Sequence, residues 1–405
     1  MKLTAGNRAA FASGVNTAYS PDQSIVCRYR DLMRFFDDPG QDETFKRHLL
    51  DATIREGARI VELVEYNGVT IRVLDETSAM ATGSLKAIDG CLTAALCLTE
   101  GAERIAFESG GNTGSALTRY GRHAGVETFF FCPVENLDLL DSSLFLDGKN
   151  RLIGVADRSR LKEFTASFTR ATGIRHLPER SWRYAASMLR GLFIAEQMLA
   201  GMNFDWLIQT ISAAFGPIGI YRVLDAFKGD LPSLPRFLGV QQQANCPMYT
   251  AWKRNQDATE EVAATPGNLL TRVMYDRDPR TYNTYGDLCA LLQSTDGEML
   301  TVDEAGFLRS LDATAPSLVQ VLHSRGIPIT LQSGEIVEKT GLIALAGTFK
   351  AIDGGIIPPG SSVLCCLTGG VTGADGRARP ERVLETERDL QEYIREVQEN
   401  HDGMG

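Results

Sequence analysis

The sequence lacks several features that would place it in a special class of protein. Its eight cysteines form no Cys-x-x-Cys pair and share no ligand spacing with its five histidines, so neither a zinc site nor a disulfide scaffold is predicted. No apolar run approaches the roughly 18 residues of a membrane span, and the first residues contain no apolar segment typical of a signal peptide. The net charge of -10 argues against nucleic acid, whose phosphates require clustered Lys and Arg. We therefore expect a cytoplasmic protein with no metal, membrane or nucleic-acid partner.

The sequence does contain an alternation of helical and strand patterns over a length of 405 residues, which is sufficient for two domains. Helices are predicted over residues 88–98, 113–123 and 221–227. Short apolar runs predict strands at residues 104–107, 126–132, 151–155, 206–211, 237–240 and 362–367. Because these runs are apolar on both faces and are separated by helices, they predict an α/β fold with mostly parallel sheets covered by helices. The charged segment 377–402 predicts an exposed helix with a frayed end.

Two segments near the first predicted strand carry candidate chemistry, since parallel sheets bind ligands at the carboxyl ends of their strands. Lys86 follows Gly83 and Ser84 at the start of an apolar helix, although a solvated surface lysine would have the same neighbours. The second segment is Glu108-Ser109-Gly110-Gly111-Asn112-Thr113-Gly114-Ser115. Its glycines and hydroxyls at a helix start are typical of an anion site, and equally of an ordinary capped turn.

Two further glycine-rich segments follow later strands. Ser212-Ala213-Ala214-Phe215-Gly216-Pro217-Ile218-Gly219 comes after the strand predicted at 206–211 and is typical of a phosphate-binding loop. Leu367-Thr368-Gly369-Gly370-Val371-Thr372-Gly373 follows the last strand and places a hydroxyl beside three glycines. Neither segment is specific when taken alone.

The order of the four segments resembles the fold type II enzymes that depend on pyridoxal 5′-phosphate (PLP), a superfamily that includes threonine synthase, cysteine synthase and the tryptophan synthase β chain. Ser84-Leu85-Lys86 resembles its Ser-x-Lys sequence, and Ser109–Gly114 resembles its Ser-Gly-Asn-Thr-Gly loop. The resemblance runs from about residue 25 to about residue 375. It implies a two-domain α/β enzyme that is a homodimer.

The resemblance also implies a role for each candidate residue. Lys86 would carry PLP as a Schiff base, Asn112 would contact the ring hydroxyl, and Thr368 would meet the pyridine nitrogen. The cofactor phosphate would bind Phe215, Gly216, Pro217, Ile218 and Gly219. The substrate carboxylate would bind Ser109, Gly110 and Thr113. The expected domains are a large one formed by residues 1–84 and 166–405, and a small one formed by residues 85–165.

Within the superfamily, the threonine synthase branch is the most similar. Cys27-Arg28-Tyr29-Arg30 resembles its N-terminal Arg-Tyr-Arg, and Glu338-Lys339-Thr340-Gly341 resembles its Glu-Pro-x-Gly turn. A narrower similarity, to cysteate synthase, comes from Cys132-Pro133-Val134-Glu135-Asn136-Leu137-Asp138 and residues 243–252. The family's Lys-Asp-Arg-Gly is Lys86-Ala87-Ile88-Asp89-Gly90 here, Gly110 replaces a common Ser, and Phe215 and Pro217 replace small residues. These departures argue against the standard threonine synthase substrate.

The implied function is β-replacement on an O-activated serine such as O-phosphoserine, through an aminoacrylate, with a phosphate or acyl leaving group. Lys86 would remove the α-proton, and a Thr at the pyridine nitrogen suits elimination. One alternative is a threonine synthase acting on O-phosphohomoserine. Others are a catalytically silent protein of this fold and a protein that binds a phosphorylated metabolite.

Five other positions carry charged or thiol side chains and are predicted to be structural. Lys350 lacks the Ser-x-Lys neighbours and is expected to be exposed. Arg119 and Arg122 share a helix face that is expected to be solvated. Cys365 and Cys366 lie in an apolar strand, where packing is the expected role.

Overall fold

The computed structural model describes residues 1–177, 180–255, 268–274, 283–331, 333–369 and 378–402, and the chain divides into two compact units. The first unit consists of Met1–Asp37, Arg55–Leu85 and Arg183–Gly370. The second consists of Asp38–Ile54, Lys86–Trp182 and Val371–Gly405. The predicted small domain of residues 85–165 lies within the second unit except for Leu85, and this unit also takes in segments that the prediction assigned to the large domain.

A six-stranded sheet forms the centre of the first unit, in the order β11-β10-β9-β12-β4-β3. All neighbouring strands are parallel except β3, which is antiparallel to β4 at one edge. The strands are β3 (Arg59–Tyr66), β4 (Val69–Asp75), β9 (Trp206–Thr210), β10 (Arg236–Gln242), β11 (Glu298–Val302) and β12 (Ser362–Leu367). A separate antiparallel pair is formed by β1 (Lys2–Leu3) and β2 (Met33–Arg34).

Helices cover this sheet, so that every residue of β9 is buried, as expected for a parallel strand with both faces covered. The helices of the first unit are α1 (Arg8–Gly14), α2 (Ile25–Tyr29), α7 (Arg180–Leu199, from Arg183), α8 (Phe215–Ala226), α9 (Pro247–Arg254), α10 (Tyr285–Ser294), α11 (Glu304–Leu311), α12 (Leu318–Ser324) and α13 (Lys339–Asp353). Helix α13 packs along β9, β10, β11 and β12. Its apolar residues join Trp206, Val240 and Val363 in one core cluster.

The second unit contains a five-stranded, fully parallel sheet in the order β13-β7-β6-β5-β8. Its strands are β5 (Arg104–Glu108), β6 (Glu127–Pro133), β7 (Asn150–Val155), β8 (Arg175–His176) and β13 (Arg382–Leu384). Its helices are α3 (Pro39–Ala52), α4 (Lys86–Glu100), α5 (Asn112–His123), α6 (Leu161–Thr172) and α14 (Glu387–Asp402). Helix α3 packs on α4, and α14 packs on α6.

The α/β class, the parallel sheets and most of the predicted elements are confirmed, whereas two details were wrong. Helix α8 begins at Phe215 and not at residue 221, because Pro217 lies in the first turn, where no helical N–H is needed. The C-terminal helix is not simply exposed. Leu390, Tyr393 and Ile394 of α14 are buried in the core cluster of the second unit, against Phe168.

Candidate functional site

Lys86 is the first residue of α4 in the second unit, and its surroundings differ from those of a solvated surface lysine. Its Nζ lies 3.2 Å from Oδ2 of Asp89, and the two side chains are 27% and 3% exposed. Every residue of the helix from Ala87 to Cys97 is buried. A lysine that begins a buried helix is partly desolvated, which is the condition for an amine that must react as a nucleophile.

The Asn112 loop follows β5 and leads into α5, as its glycines predict. Ser109 donates its N–H to Phe131 O over 3.1 Å and accepts the N–H of Gly111 on Oγ over 3.1 Å. Helix α5 then begins at Asn112. Ser109, Gly110, Asn112 and Thr113 are all half-buried. The structure therefore places the four predicted residues together at the carboxyl end of β5 and the amino end of α5.

One side chain that the sequence prediction did not single out holds this loop, and a second lies beside it. The buried Asn136 donates from Nδ2 to Gly110 O over 2.8 Å. A Cβ on Gly110 would lie 3.6 Å from Nη2 of Arg158, whose Nη1 is paired with Glu135 at 2.7 Å. Asn136 lies in the segment that resembles cysteate synthase, which is a signal that could have identified it. Arg158 has no comparable sequence signal.

The predicted phosphate segment lies in the first unit at the carboxyl end of β9, and Phe215 to Gly219 form the start of α8. The first turn of a helix leaves its N–H groups without intrahelical partners, so it attracts anions. Ala214, the residue before the helix, has φ 58°, a left-handed conformation that costs a non-glycine residue about 1 kcal/mol. Residues in this conformation are concentrated at functional sites.

The glycines of this segment are required by close packing against α7. A Cβ on Gly219 would lie 2.3 Å from Cβ of Ser187. One on Gly216 would lie 2.3 Å from Nε2 of Gln209 and 2.9 Å from Nη1 of Arg190. The backbone at the start of α8 is therefore held against buried polar side chains.

Thr368 follows β12 and is connected to the segment that precedes Lys86. Leu85 donates its N–H to Thr368 O over 3.1 Å, within the first unit. Gly369 has φ 92°, and a Cβ there would lie 2.3 Å from Cα of Ser84. Thr368 and Gly369 are thus locked against residues 83–85. Gly370, Val371, Thr372 and Gly373 lie outside the described residues.

Glu338 caps α13 beside Gly369 and is fully buried. Its Oε1 accepts the N–H groups of Gly341 (2.6 Å) and Gly369 (3.2 Å). Burial raises the pKa of the Glu338 carboxyl to about 8, against the lowering effect of these hydrogen bonds, and the charge of Asp75 raises it further. The raised pKa favours the neutral, protonated form of the Glu338 carboxyl. The prediction recognised the turn that contains it but gave it no role.

The first unit offers buried polar atoms that suit a polar, phosphate-bearing cofactor. Oγ of Ser84, Oγ1 of Thr340 and Oε2 of Glu338 are buried and have no hydrogen-bond partner among the described residues. Buried polar atoms are nearly always paired in native proteins, so orphaned ones indicate a missing partner. Together with the glycine-packed start of α8, they fit PLP.

The positions expected to be structural behave as predicted. Lys350 is exposed and donates to Thr301 O over 2.7 Å. Arg119 and Arg122 are exposed on α5. Cys365 and Cys366 are fully buried, and burial raises the pKa of the Cys365 thiol to about 12. A thiol with so high a pKa is a packing residue and not a nucleophile.

Neither a metal site nor a membrane-spanning helix is found among the described residues. No group of three or more His, Cys, Asp and Glu side chains there is arranged to hold a metal ion. No helix in the same ranges is long and apolar enough to cross a membrane.

Known proteins resemble this chain in sequence and in fold. No family model matches the chain. It is 24% identical over 328 residues to a threonine synthase of Methanosarcina acetivorans, covering 78% of this chain and 75% of that protein.

Among solved structures, the processed form of threonine deaminase isoform 2 from Solanum lycopersicum superposes with a TM-score of 0.59 at 12% identity, covering 90% of this chain and 89% of that one. Diaminopropionate ammonia lyase from Escherichia coli, solved with an aminoacrylate-PLP azomethine intermediate, gives 0.58 at 12% identity, covering 88% and 91%. The chain therefore has the fold of the fold type II PLP-dependent enzymes, as its sequence resemblance predicts.

Proposed function

We propose that this chain is a PLP-dependent enzyme in which Lys86 forms the Schiff base. The observation that carries the proposal is the half-buried Lys86 at the start of the buried helix α4, with the preceding residue Leu85 bound to Thr368 O. The proposed cofactor ligands are Lys86, Asn112, Phe215, Gly216, Pro217, Ile218, Gly219 and Thr368. Bound PLP would supply an electron sink for a carbanion at the substrate α-carbon.

The chain's own residues would do the remaining work. Lys86 would accept the α-proton of the substrate on Nζ. Ser109, Gly110 and Thr113 at the start of α5 would bind the substrate carboxylate through N–H and O–H donors. Thr368 would form one neutral hydrogen bond to the pyridine nitrogen, an arrangement that suits loss of a β-leaving group.

We further propose β-replacement on an O-activated serine, such as O-phosphoserine, as the reaction. Arg158, whose Nη1 is paired with Glu135, lies beside Gly110 and is the proposed contact for an anionic leaving group or nucleophile. The likeness to an ammonia lyase solved with an aminoacrylate-PLP intermediate supports chemistry at the β-carbon. A cytoplasmic homodimer remains part of this proposal.

A threonine synthase acting on O-phosphohomoserine is the second candidate. The 24% identity to a threonine synthase favours it. The absence of the Lys-Asp-Arg-Gly arginine after Lys86, where Ile88 and Asp89 stand instead, favours the first candidate.

An absorbance spectrum of the purified protein tests the central claim. A lysine Schiff base of PLP absorbs near ~410 nm, a property of the cofactor. We expect this band in the wild type and its loss in Lys86→Ala, with Lys350→Ala as the matched control that keeps it. A longer-lived, aminoacrylate-like band on adding O-phosphoserine supports β-replacement, and a spectral change with O-phosphohomoserine alone supports the second candidate. A protein that stays colourless with added PLP contradicts both.

A further inference from the structure

A buried ion pair lies directly under the start of α8 in the first unit. Arg190 on α7 and Glu76, which follows β4, have side chains that are both 0% exposed. Arg190 donates from Nε to Oε1 and from Nη2 to Oε2 of Glu76, the latter over 2.6 Å. Nη2 also donates to Oε1 of Gln209 over 3.1 Å. The planar guanidinium is thus held in one orientation by two side chains from the sheet.

The orientation of this pair points its positive end at the phosphate segment. Nη1 of Arg190 lies 2.9 Å from the position that a Cβ of Gly216 would occupy, whereas Glu76 binds the Nε and Nη2 edge of the guanidinium. Gln209, the second ligand of the guanidinium, also touches Gly216, at 2.3 Å from the same position. The network therefore packs directly against the first turn of α8, with the Nη1 corner of the guanidinium turned towards it.

A buried ion pair needs an explanation, because removing two charges from water costs free energy that their mutual attraction does not reliably offset. An apolar pair of similar volume would serve packing equally well. A phosphate dianion at the adjacent helix start would benefit from a fixed cation in a region of low dielectric, where electrostatic interactions are strong. This benefit adds to that of the helix N–H groups.

We propose that Arg190, oriented by Glu76 and Gln209, is a positioning residue that prepares the start of α8 for the cofactor phosphate. This inference rests on the proposed PLP function. It identifies a recognition element that lies under the glycine segment and does not belong to the segment itself. Gly216 then has a structural reason for its identity, since a larger residue would displace the guanidinium.

The test replaces two arginines, Arg190 and Arg28, by lysine and compares the PLP binding of the two variants. Arg190→Lys keeps the positive charge but loses the planar guanidinium that donates hydrogen bonds to both Glu76 and Gln209. Arg28→Lys is the matched control, because Arg28 forms a bidentate pair with Glu196 farther along α7, with side chains 13% and 21% exposed. Each protein is titrated with PLP for its Kd. The 31P resonance of the bound cofactor is then followed across the second phosphate ionisation near pH ~6.

We expect Arg190→Lys to raise the Kd for PLP by about 10-fold or more, and Arg28→Lys by less than about 2-fold. The 31P resonance should stay constant with pH in the wild type and Arg28→Lys but move in Arg190→Lys. If Arg190→Lys does not fold, the double variant Glu76→Leu/Arg190→Met removes both charges and should show the same loss of affinity.

The outcomes separate this inference from the proposed function. A wild type that binds PLP beside an Arg190→Lys protein with unchanged Kd and an unchanged 31P profile overturns the role of Arg190 alone. A wild type that does not bind PLP overturns the proposed function and this inference with it.

Discussion

The Nζ atom of Lys86 lies 3.2 Å from Oδ2 of Asp89, three residues further along α4, and this carboxylate is almost completely buried. Asp89 belongs to Lys86-Ala87-Ile88-Asp89-Gly90, the segment that stands in place of the superfamily's Lys-Asp-Arg-Gly. The carboxylate holds the amine in an ion pair. The amine must leave this pair before it can form a Schiff base.

Asp89→Asn should therefore strengthen covalent binding of PLP. The substitution keeps the shape of the side chain but removes the charge that holds Nζ of Lys86 in an ion pair. The PLP concentration that gives half of the band at about 410 nm should fall by about 3-fold. The control is Asp42→Asn, which removes one partner of Lys46 on α3 of the same unit. An unchanged half-saturating concentration in Asp89→Asn would contradict the prediction.

The raised pKa of Glu338 makes stability depend on pH in a defined direction. Burial holds the folded-state pKa at about 8, against an unfolded value of 4.5. Below the lower value the acid is protonated in both states, so its contribution to stability is fully present. As the pH rises from 4.5 towards 8, the unfolded state ionises while the folded state stays protonated, so the contribution falls. Above 8 it is lost, by a few kcal/mol in total at about 1.4 kcal/mol per pKa unit.

Glu338→Gln should remove this dependence. Urea denaturation of the cofactor-free protein at about pH 5 and about pH 9 measures it as a difference in free energy of unfolding. The wild type should lose more stability between these values than Glu338→Gln. The exposed Glu335→Gln is the matched control and should behave as the wild type. Equal losses in wild type and Glu338→Gln would show that the carboxyl is ionised throughout.

Gly216→Ala should weaken PLP binding through steric displacement. The new Cβ would lie 2.3 Å from Nε2 of Gln209, closer than such contacts allow, so the start of α8 or the side chain must move. We expect the Kd for PLP to rise by about 10-fold. Gly229→Ala, which meets nothing within 4 Å, should bind PLP normally. Normal binding by Gly216→Ala would indicate that the phosphate lies elsewhere.

Asn136→Leu should affect the substrate more than the cofactor. It removes the 2.8 Å hydrogen bond that fixes Gly110 O, in the loop proposed to bind the substrate carboxylate. Loss of a buried hydrogen bond costs about 1–3 kcal/mol, so the KM for the amino acid should rise by about 10-fold while the Kd for PLP changes little. Asn150→Leu breaks a similar buried bond, to Thr128, and should lower stability without changing KM. Equal changes in both variants would indicate general destabilisation.

Local sequence patterns predicted the helices and strands, whereas ion pairs between residues far apart in the sequence were not predicted. The strand predicted at 362–367 is confirmed, because five consecutive apolar residues after Ser362 are typical of a buried strand. The start of α8 was misplaced because Gly216 and Pro217 indicate a loop, although both are allowed in a first helical turn. The Glu76–Arg190 pair joins residues 114 apart, and no periodicity links them. The sequence signal for this pair is Arg190 itself, a charged residue in the apolar stretch before Gly191.

The pairing of β13 with β7 has a consequence for how the protein is made. Arg382, Val383 and Leu384 complete a sheet whose other strands lie between residues 104 and 176. The ribosome therefore releases four strands of the second unit, and then the whole of residues 177–381, before β13 appears. During that interval the edge of β7 is open, and an unpaired parallel edge is a template for aggregation. We expect C-terminal truncations that end before residue 382 to leave this edge open and to be less soluble than the full chain.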